Sequence, residues 1–278
     1  MRTLKIVSDS SSDLLTLDNA HYACAPMKII TAEREFVDND ALDVNEMVHF
    51  LYNYKGKSKS SCPNTADWIS AFGDADDIIC TTITSGLSGS YNAACSAKKL
   101  YEEQHPGRRV FVLDTLSAGP EITLMIRRIA DNAAAAMSYE EICADITAYR
   151  EQTGLVFMLK SVKNFANNGR INPLAAKLVG IAGICIVGRA STEGTLEPVH
   201  KCRGEARALD ALLAELAEKG VHAGHISIGH CQNEQAAEIL KHKIAEKFPD
   251  ADVEIHAFRG LCGFYAELGG VLIGYEKR

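Results

Sequence analysis

No Cys-x-x-Cys pair occurs in this chain, although it contains nine cysteines. Structural zinc sites usually present thiolates in such pairs, and a disulfide framework usually shows an even number of cysteines. We therefore expect no structural metal site and no disulfide scaffold. Most of the cysteines should be small buried side chains in a reducing compartment. Cys62 is set apart, because the loop around it is rich in hydroxyl groups.

The chain also lacks a basic run, and its 29 Lys and Arg residues are outnumbered by 36 Asp and Glu residues. Binding to nucleic-acid phosphates needs positive charges in series, so we expect no nucleic-acid partner. The strongest apolar run, residues 178–187, is too short to cross a bilayer, and the first residues contain no signal-peptide core. We expect a cytoplasmic protein without a membrane span.

What the chain does contain is an ordinary globular balance of 47% hydrophobic and 23% charged residues over 278 positions. This length favours two domains. In the first half, short β-rich runs alternate with helical segments, which predicts a parallel sheet with crossover helices. The predicted strands are 4–7, 27–30, 78–82 and 110–113, and the predicted helices are 44–52, 88–101 and 122–136, followed by Ser138 as an N-cap.

A second section opens at Gly154. Its predicted strands are 155–159, 184–187, 196–199, 226–229 and 253–257, and its predicted helices are 205–218 and 234–247. No linker or low-complexity tract separates the two sections. We therefore predict two α/β domains, 1–152 and 153–278, which share a tight interface.

Polar residues 8–13, SDSSSD, directly follow the first predicted strand. In an open α/β sheet, ligands bind beyond the carboxyl ends of the strands, so Asp9 is a candidate to face a site. Alternatively, Ser11 or Ser12 caps a helix whose first turn contains Asp13. Both interpretations can hold together.

The loop at residues 57–65, KSKSSCPNT, is crowded with hydroxyl groups. Hydroxyls donate hydrogen bonds without bringing charge, which suits a carboxylate beside an apolar tail. The alternative is a solvated loop.

Residues 84–91, TSGLSGSY, follow an apolar strand and lead into a helix. The glycines allow close backbone approach, and a helix N-terminus offers free N–H groups, so this joint favours an anion site with Ser85 and Ser88 as candidates. The structural alternative is a tight turn with Ser88 as the N-cap.

Ser88 could also be a nucleophile, although Ser90 occupies the last glycine position of a Gly-x-Ser-x-Gly elbow. His230, at the end of a predicted strand, is then the best candidate for the base. Two isolated arginines, Arg170 after a glycine turn and Arg203 after a strand, could pair with an acid or a phosphate. A surface position is the usual alternative for each arginine.

The order of the motifs resembles that of the DegV family of fatty-acid-binding proteins over nearly the whole chain. The motifs are IVSDSSSDL at 6–14, SSCPN at 60–64, TSGLSGSYNAA at 84–94, VLDTLSAG at 112–119, NNGRI at 167–171 and EPVHKCRGEARAL at 197–209. The resemblance implies an N-terminal three-layer α/β/α domain with a parallel sheet and a C-terminal α/β domain with a mixed sheet. It also implies an apolar tunnel for a long-chain fatty acid, which residues 178–187 could line if they are not simply core.

By the same resemblance, Ser60 and Ser88 contact the carboxylate, and Arg170 and Arg203 lie near the head group and the surface that faces a kinase. Many relatives have a histidine where this chain has Tyr265, which can donate a hydrogen bond but cannot exchange a proton near neutral pH. The implied protein is a carrier and not an enzyme. It has no cofactor besides its fatty acid, and a separate kinase forms the acyl phosphate. A serine hydrolase using Ser88 and a binding protein for another apolar anion are the alternatives.

Overall fold

The computed structural model describes residues 2–18, 20–171 and 183–277. The strands in these residues are β1 (Leu4–Asp9), β2 (Tyr22–Ala25), β3 (Lys28–Ile30), β4 (Glu35–Val37), β5 (Lys59–Ser61), β6 (Asp77–Thr82), β7 (Arg109–Asp114), β8 (Thr153–Leu159), β9 (Ile184–Ala190), β10 (Leu196–Arg203), β11 (Ala223–His230), β12 (Asp250–Ala257) and β13 (Val271–Glu276). The helices are α1 (Val44–Asn53), α2 (Thr65–Phe72), α3 (Ser90–Gln104), α4 (Pro120–Ala134), α5 (Tyr139–Glu151), α6 (Lys163–Asn167), α7 (Glu205–Glu218), α8 (Glu234–Lys247) and α9 (Gly260–Ala266).

Strands β2, β1, β6 and β7 form a parallel sheet in that order. All residues of β6 are buried, as expected for a strand that is covered on both faces. Helices α2 and α3 cover one face with Trp68 and Tyr101, and α4 and α5 cover the other with Ile126 and Ile146. The predicted three-layer α/β/α unit is confirmed.

The second sheet has the order β10-β9-β8-β13-β11-β12, in which β11 and β12 run parallel and the other neighbours antiparallel. Helices α7 and α8 pack on one face, where Leu212 and Leu240 meet Val156 and Ile228. The opposite face turns Phe157 towards a core shared with α9 and the N-terminal residues. The predicted mixed sheet is therefore confirmed.

A third sheet, with the order β4-β3-β5, is small and antiparallel. The sequence predicts a strand at 27–30 within the parallel sheet, and that placement is wrong. Pro26 lacks an N–H group for a sheet ladder and separates β2, which joins the parallel sheet, from β3. The chain after Pro26 pairs with β4 and β5 instead.

Two further expectations need revision. Helix α3 begins at Ser90 instead of residue 88, and Gly89 stands at its N-cap without a side-chain cap.

The expectation that most cysteines are buried is wrong: all nine are free, but four are buried and the other five are partly exposed. By contrast, Ser138 caps α5 as predicted and forms a capping box with Glu141.

The chain passes from the parallel sheet to the mixed sheet between α5, which ends at Glu151, and β8, which begins at Thr153. The division into domains 1–152 and 153–278 stays a prediction. Of the apolar run 178–187, residues 178–182 lie outside the described residues, and 184–187 belong to β9. In the parts of the chain that the structure describes, no helix combines the length and apolar character needed to cross a membrane.

Candidate functional site

A cavity of about 320 Å³ lies between the two large sheets and is lined by residues from both halves of the chain. This volume falls in the range of small-molecule sites, about 300–1,000 Å³. Much of the wall is aliphatic or aromatic: Leu155, Phe157, Leu159, Phe165, Leu196 and Leu272. Polar side chains also line it: Ser60, Thr84, Ser88, Ser117, Arg170 and Tyr265. The cavity thus suits a ligand with a long apolar part and a small polar part.

Ser60 and Tyr265 meet in this wall although 205 positions separate them in the sequence. Ser60 lies on β5, and its Oγ is 2.7 Å from the phenol oxygen of Tyr265 on α9. Burial raises the pKa of Tyr265, while Ser60 and Arg170 act in the opposite direction. The phenol therefore keeps its proton near neutral pH and can donate a hydrogen bond.

Arg170 lies beside the same pair. The central carbon of its guanidinium is 5.5 Å from the centroid of the Tyr265 ring, and its Nε donates to the Leu87 carbonyl at 2.8 Å. Gly169 makes this position possible, because its φ of +67° reverses the chain after α6. A positive charge is thereby held at the edge of a largely apolar cavity.

Ser88 reaches the cavity from the loop between β6 and α3. Its Oγ accepts the Ser90 N–H at 3.2 Å, so the hydroxyl also supports the start of the helix. The cavity position agrees with Ser88 as a site residue, whereas the predicted role as N-cap is wrong, because Gly89 occupies the N-cap of α3. Cys62 also lines the cavity, and burial raises the pKa of its thiol.

The glycines of this loop serve different contacts. A Cβ at Gly86 would lie 2.6 Å from the Glu193 carbonyl oxygen, so this glycine allows the loop to touch the turn before β10. A Cβ at Gly89 would meet only Cys62 Sγ, at 3.5 Å. Close approach at Gly86 therefore joins this loop to the turn before β10.

Asp9 is fully buried and does not line the cavity. Its carboxylate accepts the Ile83 N–H at 3.0 Å and the Ser90 hydroxyl at 2.6 Å, and it caps the turn Ser10–Ser12. Burial raises the pKa of Asp9. The residue fixes both ends of the loop that carries Ser88, which places it behind the cavity wall.

The remaining candidates lie elsewhere. Ser85 is exposed, and its N–H donates to Asp114 at 3.0 Å. Arg203 is exposed at the end of β10. Neither residue lines the cavity. The structure therefore brings together Ser60, Ser88, Arg170 and Tyr265, and leaves Ser85, Arg203 and Asp9 outside.

No His, Asp or Glu occurs among the described residues that line the cavity. His230 is buried at the end of β11, where its Nδ1 accepts the Asn233 N–H at 3.2 Å. Burial lowers its pKa. Ser88 thus has no candidate general base in the cavity wall, and no metal-binding group of His, Cys, Asp or Glu is found in the described ranges.

Sequence reasoning missed Thr84 and Ser117 as residues of the wall. Both lie just beyond the carboxyl ends of parallel strands, β6 and β7, where ligands of open α/β sheets bind. The same argument that selected Asp9 could have found them. Ser117 lies in the motif VLDTLSAG at 112–119, but the sequence does not predict that its hydroxyl donates to Glu121.

Fold and cavity together define an α/β protein with a parallel sheet, a separate mixed sheet and a ligand-sized cavity lined from both halves of the chain. A family model described as "Uncharacterised protein, DegV family" matches residues 3–278. The chain belongs to the DegV family, as the order of its motifs predicts.

Similar sequences and structures span the full chain. A DegV domain-containing protein of Streptococcus pneumoniae is 41% identical over 278 residues, with 99% of each chain covered. The structure of the Streptococcus pneumoniae Fatty Acid Kinase (Fak) B3 protein loaded with linoleic acid is 40% identical with a TM-score of 0.97, covering 99% of this chain and 100% of that one. A DegV family protein of Eubacterium eligens loaded with heptadecanoic acid has 36% identity, a TM-score of 0.97 and the same coverage.

Proposed function

We propose that this protein binds a long-chain fatty acid in the cavity, with the carboxylate at Ser60, Ser88, Tyr265 and Arg170. The observation that carries the proposal is the Ser60–Tyr265 pair, which lies beside Arg170 in a largely apolar wall that contains no acidic side chain among its described residues. The loaded structures of similar DegV proteins support the ligand class.

Burial of the tail supplies most of the binding free energy. Each buried methylene contributes about 0.8 kcal/mol, so a chain of about sixteen carbons gains on the order of 10 kcal/mol before ordering costs. The aromatic and aliphatic wall provides the surface for this burial.

The carboxylate requires hydrogen-bond donors, because an ionised group without partners is strongly disfavoured in an apolar cavity. Each hydroxyl has one proton to donate, and the bond between Ser60 and Tyr265 uses one of their two protons. The pair thus offers one donor to the carboxylate, Ser88 offers a second, and the Arg170 guanidinium supplies a compensating charge. A serine hydrolase would need a base beside Ser88, and none lies in the described wall. The site therefore favours recognition of an acid over cleavage of an ester.

Ser60→Ala and Ser88→Ala should each weaken fatty-acid binding about tenfold, since each leaves one carboxylate oxygen without a donor. Isothermal titration calorimetry with a long-chain acid measures the change. Ser96→Ala is the matched control, because Ser96 is exposed and its hydroxyl bonds only within α3. Wild-type affinity in both cavity variants would remove these residues from the head-group site.

We further propose that a separate kinase phosphorylates the bound acid. An open groove outside the cavity shares Leu87, Arg170, Thr195 and Leu196 with its wall, which supports a head-group end that faces the surface. The name of the Streptococcus pneumoniae neighbour also connects this fold with a fatty-acid kinase. The acid is already a carboxylate at neutral pH, so its attack on the γ-phosphorus of ATP needs no base from Tyr265.

The transfer would form an acyl phosphate and release ADP. Loaded protein should yield an acyl hydroxamate when it is incubated with ATP, a fatty-acid kinase and hydroxylamine, and omission of the kinase should abolish the product. A kinase that forms as much hydroxamate from free acid without this protein would contradict the carrier role.

A further inference from the structure

The start of α9 is held by two aspartates that lie more than 200 positions earlier in the sequence. Asp13 Oδ1 accepts the N–H of Arg259 at 2.8 Å. Asp38 accepts the next two N–H groups, from Gly260 through Oδ1 and from Leu261 through Oδ2, each at 2.9 Å. Three consecutive backbone donors thus bond to carboxylates of the N-terminal half.

These donors would otherwise have no partner. The first N–H groups of a helix lack intrahelical acceptors, and Arg259, the N-cap residue, provides no side-chain cap. Asp38 is fully buried and takes over this role from outside the helix. A Cβ at Gly260 would lie 2.6 Å from the Asp38 Cγ, so glycine is needed for the carboxylate to approach. Arg259 Nε, 3.6 Å from Asp38 Oδ1, offsets its charge.

The small antiparallel sheet connects Asp38 to the head-group site. Asp38 directly follows β4, Ser60 lies on β5, and both strands pair with β3. The sheet therefore touches α9 at two points: Asp38 at its first residues and Ser60 at Tyr265 near its end. Other α9 residues, Leu261 and Cys262 among them, contribute to the cavity wall. One short helix thus carries the Asp38 contacts at its start and the Tyr265 phenol near its end.

We propose that Asp38 is a positioning residue for carboxylate recognition, which fixes α9 so that the Tyr265 phenol meets Ser60. The inference rests on the proposed function. Asp38 does not line the cavity, and it acts through the helix and not through contact with the ligand.

Asp38→Asn tests the inference, because asparagine keeps the shape but turns one acceptor into an NH₂ group that faces a backbone N–H. We expect the affinity for a long-chain acid to fall about tenfold and the affinity for its methyl ester to stay unchanged, since the ester relies on the tail. The acid-over-ester ratio should fall accordingly. Asp43→Asn, the same change at the N-cap of α1, is the matched control and should keep the ratio.

A second arm asks whether Asp38 acts through Tyr265. Tyr265→Phe should lower the acid-over-ester ratio, and Asp38→Asn added to it should lower the ratio no further, which is the signature of coupled residues. An unchanged ratio in folded Asp38→Asn, or an equal loss for acid and ester, would overturn the inference. Wild-type protein that binds neither ligand would instead contradict the proposed function.

Hydrogen exchange of the wild-type protein covers the case in which Asp38→Asn does not fold. The amides of Gly260 and Leu261 should exchange slowly, and more slowly still when the acid is bound, while the methyl ester should have no such effect. Fast exchange of both amides in the loaded protein would overturn the inference without any variant.

Discussion

Ala190→Trp should weaken fatty-acid binding more than a hundredfold while the protein still folds. Ala190 ends β9, is only partly buried and lines the cavity, so a larger side chain can enter the space without disrupting a core. An indole group would displace several methylenes of the tail. Loss of burial for about four of them removes about 3 kcal/mol, which is more than a hundredfold in affinity. Calorimetric titration measures the loss, and circular dichroism confirms the fold.

Ala32→Trp is the matched control for this substitution. Ala32 is exposed and does not line the cavity, so the variant should bind like the wild type. If Ala190→Trp bound a long-chain acid with wild-type affinity, the ligand would have to lie outside the cavity.

Asp13→Asn should stabilise the protein at alkaline pH by about 3 kcal/mol. The Asp13 side chain is fully buried, and its Oδ2 has no hydrogen-bond partner in the described structure. Burial, together with the nearby Asp38 charge, raises the pKa of Asp13 to about 8. His256, whose pKa burial lowers to about 4, lies 3.9 Å away and is neutral at pH 7. Asparagine copies the neutral acid and keeps an oxygen for the Arg259 N–H.

The direction follows from proton linkage. The folded protein holds the Asp13 proton more tightly than the unfolded chain, whose carboxyl titrates near pH 4. The contribution of the Asp13 proton to the free energy of unfolding is therefore fully present below pH 4. It falls as the pH rises and is lost above about pH 8. A difference of about four units between the folded and unfolded pKa values corresponds to about 5 kcal/mol of unfolding free energy. Relaxation of the protein around the ionised carboxylate reduces this value.

Urea unfolding at pH 5, 7 and 9 measures the effect. The difference in unfolding free energy between Asp13→Asn and the wild type isolates this carboxyl, because the other titrating groups are common to both proteins. It should grow between pH 5 and pH 8 and then level off. Asp74→Asn, at a fully exposed aspartate, should follow the wild type. A constant difference across the series would show that Asp13 is ionised throughout.

Much of the architecture could be predicted from local pattern. The alternation of strands and helices in the first half predicts the parallel sheet, and residues 205–218 and 234–247 are helical within the predicted bounds. Ser138 shows its capping role directly, because Glu141 stands three residues later. These features depend on residues close together in the sequence.

The elements that the sequence does not predict depend on contacts between residues far apart in the chain. Strand β13 inserts between β8 and β11, a pairing that no local signal specifies. Helix α9 has only seven residues, two of them glycine, and its first N–H groups bond to Asp13 and Asp38. Its helical form comes from the tertiary structure and not from propensity.

The site was predictable where hydroxyls cluster in a motif. The family resemblance selects Ser60 and Ser88 within these hydroxyl-rich loops, and both line the cavity. Asp9 was chosen because it follows the carboxyl end of the first strand, but it turns inward, since the ends of the Ser88 loop supply donors for its carboxylate. The hydrogen bond between Ser60 and Tyr265 could not be read from the sequence, since it joins residues that are 205 positions apart.

Native mass spectrometry of the purified protein, before and after addition of a long-chain fatty acid, tests the central claim most directly. We predict one non-covalent adduct per chain with the mass of a long-chain fatty acid, which denaturation releases and Ala190→Trp lacks. A spectrum that shows only the bare chain, both as purified and after the acid is added, would contradict the proposed function.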